Sequence, residues 1–216
     1  DPVAIAPKIF SIAFANGGQV CVAIKRLYVH EDIYEELCDE LAKLASKVSV
    51  GDGMDKDSDL GPIQNAMQYD KVLSILEDTK QQSGARILSG GEPPDRPGYF
   101  LPPTVVADIS DGTRLVDEEP FGPILPVIKF TDVDDAIQRA NASNFGLGGS
   151  IWTADETKGA EVASRLEVGS AWVNQHAAVD STTPFGGTKE SGMGIVYSKE
   201  GIKAYTIQQV VNVAKA

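Results

Sequence analysis

Runs rich in β-branched and aromatic residues alternate with stretches of helical period along most of the chain, and this alternation sharply limits the folds open to it. RLYVH (residues 26–30) reads as a strand. In the following 31–48, Ile33, Leu37, Leu41, Leu44 and Val48 recur at steps of four and three, which predicts an amphipathic helix. Glu31 and Asp32 at its start suit the positive end of the helix dipole. A second helix is expected over 67–82, with Tyr69, Val72, Leu73 and Leu76 on one face and Gly84 just beyond as a cap. ARILSGG (85–91), ILPVIKF (124–130), GGSIWT (148–153) and GSAWVNQ (169–175) read as strands, with helices expected at 133–143 and 155–166. This order predicts an α/β fold: a mostly parallel sheet with helices on both faces. The last stretch, AYTIQQVVNVAKA, is strand-like with no helix after it, and is expected to pair with another sheet in this chain or a partner. The domain reading is therefore 1–205 as one α/β domain and 206–216 as a terminal strand. The opening DPVAIAPKIF, without an initiator Met, reads as an element already under way, so the chain is expected to be a piece of something longer.

Composition excludes several partners. Nineteen Lys plus Arg stand against 31 Asp plus Glu, and a net charge of -12 repels phosphate backbones, so no nucleic acid is expected. No apolar run approaches the length that spans a bilayer and no signal-peptide pattern opens the chain, so no membrane is expected. Two cysteines without pairing spacing suggest a reducing, cytoplasmic setting. The two histidines are His30 and His176, there is no CxxC, and HEDIY carries Tyr34 where a zinc-binding helix would need its second His. No metal site is expected.

Four segments are weighed for chemistry. Cys38 lies with Tyr34, Leu41 and Ala45 on a stripe beside the apolar face of its helix and reads as a small core residue. Cys21 follows Gly17, Gly18 and Gln19, and glycines permit a sharp turn or a close backbone approach. A helical turn after it would aim amide N–H groups at the thiol. Local sequence leaves Cys21 open between a presented nucleophile and a core thiol. In EEPFGP, Glu119 and Phe121 are held two residues apart by a proline turn, so that the ring can meet a flat group while the carboxylate accepts from hydroxyls such as those of a ribose. PFGGTKESGMG (184–194) matches no phosphate-binding loop and reads either as a surface turn or as a pocket wall carrying Phe185.

Taken in order, NGGQVC, VGDGMDKDSDLGPI, EEPFGP, NFGLGGSIWT, GSAWVNQ and PFGGTKESGMG resemble the catalytic half of the aldehyde dehydrogenase superfamily, over nearly the whole chain. The resemblance implies that Cys21 is the nucleophile of an NAD- or NADP-dependent oxidation of an aldehyde to an acid. The intermediates would be a thiohemiacetal and a thioester, with the Cys21 N–H helping to hold the oxyanion. It implies that Glu119 binds the nicotinamide ribose and Phe121 steadies the ring, and that Gln68 and Lys71 lie near the adenosine side. Val20, Val22, Val179 and Phe185 match residues of the family's substrate tunnel, with His176 and Asp180 adding polarity nearby. It further implies homo-oligomers built through the terminal strand, and a dinucleotide domain, absent from this sequence, that carries the general base. The isolated chain is therefore expected not to turn over. Two rival readings are a cysteine hydrolase using His176 or His30 with Asn174, and a non-enzymatic assembly module for which Cys21 would be dispensable.

Overall fold

A four-stranded sheet organises the first part of the chain in the computed structural model, which describes residues 1–215. Its strands are β1 (Leu27–His30), β2 (Arg86–Ser89), β3 (Thr104–Ala107) and β4 (Ile124–Phe130), in the order β1-β4-β3-β2. β4 pairs in parallel with β1 and with β3, whereas β2 runs antiparallel to β3 at the edge. The sheet is thus mostly parallel, as the alternation predicts, and the central β3 and β4 are buried along nearly their whole length.

Helices cover both faces. Pro2–Ala13 forms α1, opened by the Asp1 carboxylate, which accepts from the Val3 and Ala4 amides. α2 (Glu31–Ala45) lies across the sheet with α1 packed on it. Its buried face is Tyr34, Leu37, Cys38, Leu41 and Ala45, while Ile33 and Leu44 are only partly buried. The stripe read as secondary is therefore the one that meets the sheet. The Tyr34 hydroxyl explains the shift: it donates to Val127 O at 3.0 Å and accepts from the Asp108 N–H at 2.7 Å, so a large side chain can be buried with its polar end satisfied. On the opposite face α3 (Ala66–Gln81) and the short α4 (Arg114–Asp117) bury Val72, Ile75, Leu76, Leu115 and Val116 against Val106, Ile124 and Ile128. α5 (Val133–Asn141) returns along β4, with Arg139 on Asp111 at 2.6 Å and the Tyr28 hydroxyl donating to the same carboxylate at 2.8 Å.

The chain divides into two compact units, with the boundary between Ser143 and Asn144, inside the stretch read from sequence as one domain. In the second unit β6 (Gly148–Ile151) and β7 (Ser170–Val173) pair in parallel around α6 (Glu156–Ala163), a βαβ unit. Two short antiparallel ladders join β5 (Phe145–Gly146) to β9 (Thr188–Lys189) and β8 (Phe185–Gly186) to β10 (Ile195–Val196), and α7 (Ser198–Lys203) follows. The strand-like reading of the C-terminal stretch is not realised within this chain: residues 207–215 lie outside any strand, with Ile207, Val210, Val211 and Val213 exposed. Ala216 lies outside the described residues.

Candidate active site

The loop bearing Cys21 is shaped by what precedes it. After α1 the chain makes a tight turn over Ala15–Gly18, in which Asn16, Gly17 and Gly18 all take left-handed backbone angles. At Gly18 the requirement is double, because its φ is +71° and an added Cβ would lie 2.3 Å from the Gly122 carbonyl oxygen. The turn closes on itself: Asn16 Nδ2 donates to Gln19 O at 3.2 Å and Gln19 Nε2 donates to Asn16 O at 3.0 Å. Gln19 Oε1 also accepts from the Gln64 N–H at 2.9 Å, which pins the loop to the segment before α3.

Cys21 itself is exposed, whereas Cys38 is buried. Burial pushes the Cys38 thiol up to about 12, in keeping with the core role read for it. The helical turn expected after Cys21 is replaced by a single turn, in which Ala23 N–H donates to Val20 O at 3.0 Å. Residues 22–26 are too few for a helix before β1 begins, so no row of helix-start amides faces the thiol. Val20 and Val22 flank Cys21 and are partly buried.

The Glu119–Gly122 turn stands at the entrance of β4, and Phe121 holds a φ of +49°. Gln68 and Lys71, one turn apart on α3, hold this turn by its backbone. Gln68 Nε2 donates to Pro120 O at 2.6 Å and to Phe121 O at 3.3 Å, and Lys71 Nζ donates to Glu119 O at 2.7 Å. The resemblance set these two side chains near an adenosine; in this chain they support the turn that carries Glu119 and Phe121. The Glu119 carboxylate remains 36% exposed, open to hydroxyl donors.

Sequence reasoning missed Lys25. Its ammonium donates to Gly18 O at 2.7 Å and Val20 O at 2.9 Å, lies 4.0 Å from Glu119 Oε1, and sits 4.6 Å from the centre of the Phe121 ring. Burial pulls its pKa down to about 8, against the raising influence of the Glu119 carboxylate and then of the Cys21 thiolate. A lysine placed four residues after a candidate nucleophile, behind the apolar run Val22–Ile24, is the only signal the sequence offered.

In the second unit Val179 and Phe185 line one cavity of about 320 Å³, with Trp172, Gln175, Asp180 and Thr183 among its other walls. Its walls mix rings, small apolar groups and amide and carboxylate oxygens, and Val20 and Val22 are not among them. Asp180 is held below the usual carboxylate range by the Thr182 hydroxyl and amide. His176 Nδ1 lies 2.9 Å from Ser150 Oγ and its ring packs on Trp172 at 4.9 Å. His30 accepts from the Asp32 N–H as the N-cap of α2 and is thereby given a structural task. Among the described residues no cluster of His, Cys, Asp or Glu could hold a metal, and no helix is long and apolar enough to cross a membrane.

Comparison with known proteins places this geometry. The model of the aldehyde dehydrogenase family matches residues 1–211. The chain is 36% identical to a phenylacetaldehyde dehydrogenase from Pseudomonas fluorescens over 99% of its length and 43% of the relative's. It is 38% identical to aldehyde dehydrogenase 1A1 from Oryctolagus cuniculus, over 93% of the chain and 40% of that protein. Among solved structures, an NAD+ complex of aldehyde dehydrogenase from Bacillus cereus superposes with a TM-score of 0.89 at 37% identity, covering 94% of this chain and 41% of that one. The chain thus spans about two fifths of the length of the relatives it matches. On a match that runs almost from end to end, the chain belongs to the aldehyde dehydrogenase family.

Proposed function

We propose that this chain supplies the nucleophile and the nicotinamide-side contacts of an NAD- or NADP-dependent aldehyde dehydrogenase, with Cys21 as the catalytic residue. The observation that carries this is the exposed Cys21 on a glycine loop packed directly against the turn bearing Glu119 and Phe121. The Cys21 thiolate adds to the carbonyl carbon of an aldehyde, and the carbonyl electron pair moves to oxygen to give a thiohemiacetal. Its own backbone N–H donates to that oxygen. A bound nicotinamide cofactor supplies the hydride acceptor. The carbon then stays on Cys21 as a thioester, which water cleaves to release the carboxylic acid and the thiol.

The donor set fits such a cofactor at its nicotinamide-ribose end. Glu119 presents a partly exposed carboxylate that can accept from ribose hydroxyls, and Phe121 presents a ring beside it. Gln68 and Lys71 act through the turn's backbone rather than by direct contact. Val20 and Val22, which flank Cys21, are assigned to an apolar or mixed aldehyde, and Val179 and Phe185 keep the pocket role that the family resemblance gives them. Relatives carry names ending in both phenylacetaldehyde and succinate-semialdehyde dehydrogenase, so pocket details rather than the family choose the aldehyde. Because the chain spans about two fifths of its relatives, turnover is assigned to the chain together with the remainder of such a protein. Assembly through residues 206–216 is supported by the apolar residues exposed there, and deletion of that stretch with no change in assembly state would remove the idea.

Trace alkylation with iodoacetamide tests the reading on the chain itself. Cys21 should label far faster in the folded chain than after denaturation, and a panel of simple aldehydes should slow its labelling more than that of a free model thiol. Equal rates folded and unfolded, with no aldehyde protection, would reduce Cys21 to an ordinary surface thiol.

A further inference from the structure

The Lys25 ammonium touches both halves of the candidate site. Two of its hydrogens reach the carbonyls of Gly18 and Val20, which stand on either side of Gln19 and immediately before Cys21. Its remaining directions face the Glu119 carboxylate at 4.0 Å and the Phe121 ring at 4.6 Å. Its side chain is only 17% exposed, so water replaces none of these partners easily. A buried cation is retained only where its partners compensate lost hydration, and two carbonyls, a carboxylate and a ring face meet that need.

The loop it holds is also tied through Gln19 to the Gln64 N–H and packed at Gly18 on Gly122, and Lys25 adds a charged tie nearer Cys21. Between the turn closed by Asn16 and Gln19 and the start of β1, regular secondary structure is absent. Removing the ammonium would leave the Gly18 and Val20 carbonyls without this donor and would take away the charged contact between the loop and the Glu119–Phe121 turn.

Building on the reading of Cys21 as nucleophile, we infer that Lys25 is a positioning residue for it. The ammonium fastens the nucleophile loop to the Glu119–Phe121 turn and places a positive charge where the thiolate forms. Two consequences separate these roles. The fastening depends on hydrogen-bond donors, which a neutral amine partly retains. The charge acts only while Lys25 is protonated. The charged groups that face it are the Glu119 carboxylate from the turn and the Cys21 thiolate from its own loop, and Lys71 stands behind on the Glu119 carbonyl.

The experiment is the rate of Cys21 alkylation by iodoacetamide in the 216-residue chain as wild type, Lys25→Met and Lys25→Arg, over about pH 6 to 10, with folding followed by circular dichroism. Lys25→Met should label roughly three- to tenfold more slowly near neutral pH, with Lys25→Arg recovering part of the loss. The ratio of wild type to Lys25→Met should fall above about pH 8, where Lys25 loses its proton, to the smaller excess that the fastening alone leaves. A ratio that is constant with pH would leave only the fastening and overturn the charge role. Equal rates in wild type and Lys25→Met at every pH would overturn the proposal as a whole. If wild-type Cys21 labels no faster folded than denatured, the nucleophile reading fails first, whatever Lys25 does. Should Lys25→Met not fold, Lys25→Gln replaces it in the same series, since its amide keeps donors and lacks the charge.

Discussion

Gly18 and Gly122 meet so closely that a methyl group on the first would lie 2.3 Å from the carbonyl oxygen of the second. This contact joins the loop of Cys21 to the turn of Glu119 and Phe121, segments about a hundred residues apart in sequence. Each side needs its glycine for a different reason. Gly18 has a left-handed backbone as well as the close approach, and a Cβ on Gly122 would lie 2.5 Å from a methyl of Val72 on α3. The candidate site is thus set by backbone packing, with side chains added to a frame that is already fixed.

Gly18→Ala should therefore destabilise the chain. The left-handed conformation alone costs on the order of 1–3 kcal/mol for a residue with a Cβ, and the contact with Gly122 adds to it. Urea denaturation should show the loss, and Cys21 alkylation should change with it. Gly53→Ala is the control: nothing lies within 4 Å of its Cβ position and its φ is not left-handed, so its stability should stay within about 0.5 kcal/mol of wild type. Equal stability for both variants would mean that the loop and turn are not packed as described.

Tyr34 carries a second expectation. Its hydroxyl bridges Val127 O and the Asp108 N–H beneath α2, and the residue has no exposed surface. Tyr34→Phe keeps the ring and strands an acceptor and a donor, which should cost about 1–3 kcal/mol. Tyr34→Leu would confuse that loss with a change of packing volume. A denaturation midpoint unchanged in Tyr34→Phe would show that water reaches both groups.

What the sequence made legible follows the range of each signal. Periodicity located α2, α3 and α5 because each buries one face in a regular repeat, and β4 was read from its continuous apolar run. It misplaced the buried stripe of α2, since Tyr34 counts as polar until its hydroxyl is seen to have two backbone partners. β3 went unread because Thr104–Ala107 follows a proline-rich loop and its uniformly buried residues show no alternation. For the site, local sequence leaves Cys21 open between nucleophile and core thiol, and the roles given to Cys21, Glu119 and Phe121 come from the family resemblance. Lys25 was not legible, because its partners are two backbone carbonyls and a turn far along the chain, and no local pattern encodes them.

The two cysteines should separate cleanly in the same alkylation experiment. Cys38 is 1% exposed and its thiol is pushed up to about 12 by burial, with the Glu35 charge adding to it. It should label only through unfolding, at a rate that rises with urea, while Cys21 labels in the native chain. The raised thiol also makes Cys38 contribute stability that is fully present below its unfolded pKa, near 9, and is lost as pH rises toward about 12. Native-state labelling of Cys38 at the rate of Cys21 would contradict its place on the buried face of α2.

Lys25 should leave its mark on stability with the opposite sign. Burial first, opposed by Glu119 and Cys21, brings its folded pKa down to about 8 from 10.5. Between those values the unfolded chain holds a proton on Lys25 that the folded chain has released, so stability from this group rises with pH across that window. Below about pH 8 both states are charged and the folded chain bears the full desolvation penalty; above 10.5 both are neutral and the penalty is gone. Other lysines and tyrosines titrate in the same range, so the quantity to measure is the difference between wild type and Lys25→Met by urea denaturation at each pH. That difference should move in favour of wild type as pH rises from about 8 to 10.5. A flat difference would mean that Lys25 keeps its ordinary proton affinity in the folded chain, and that its ammonium is hydrated rather than enclosed by Gly18, Val20 and Phe121.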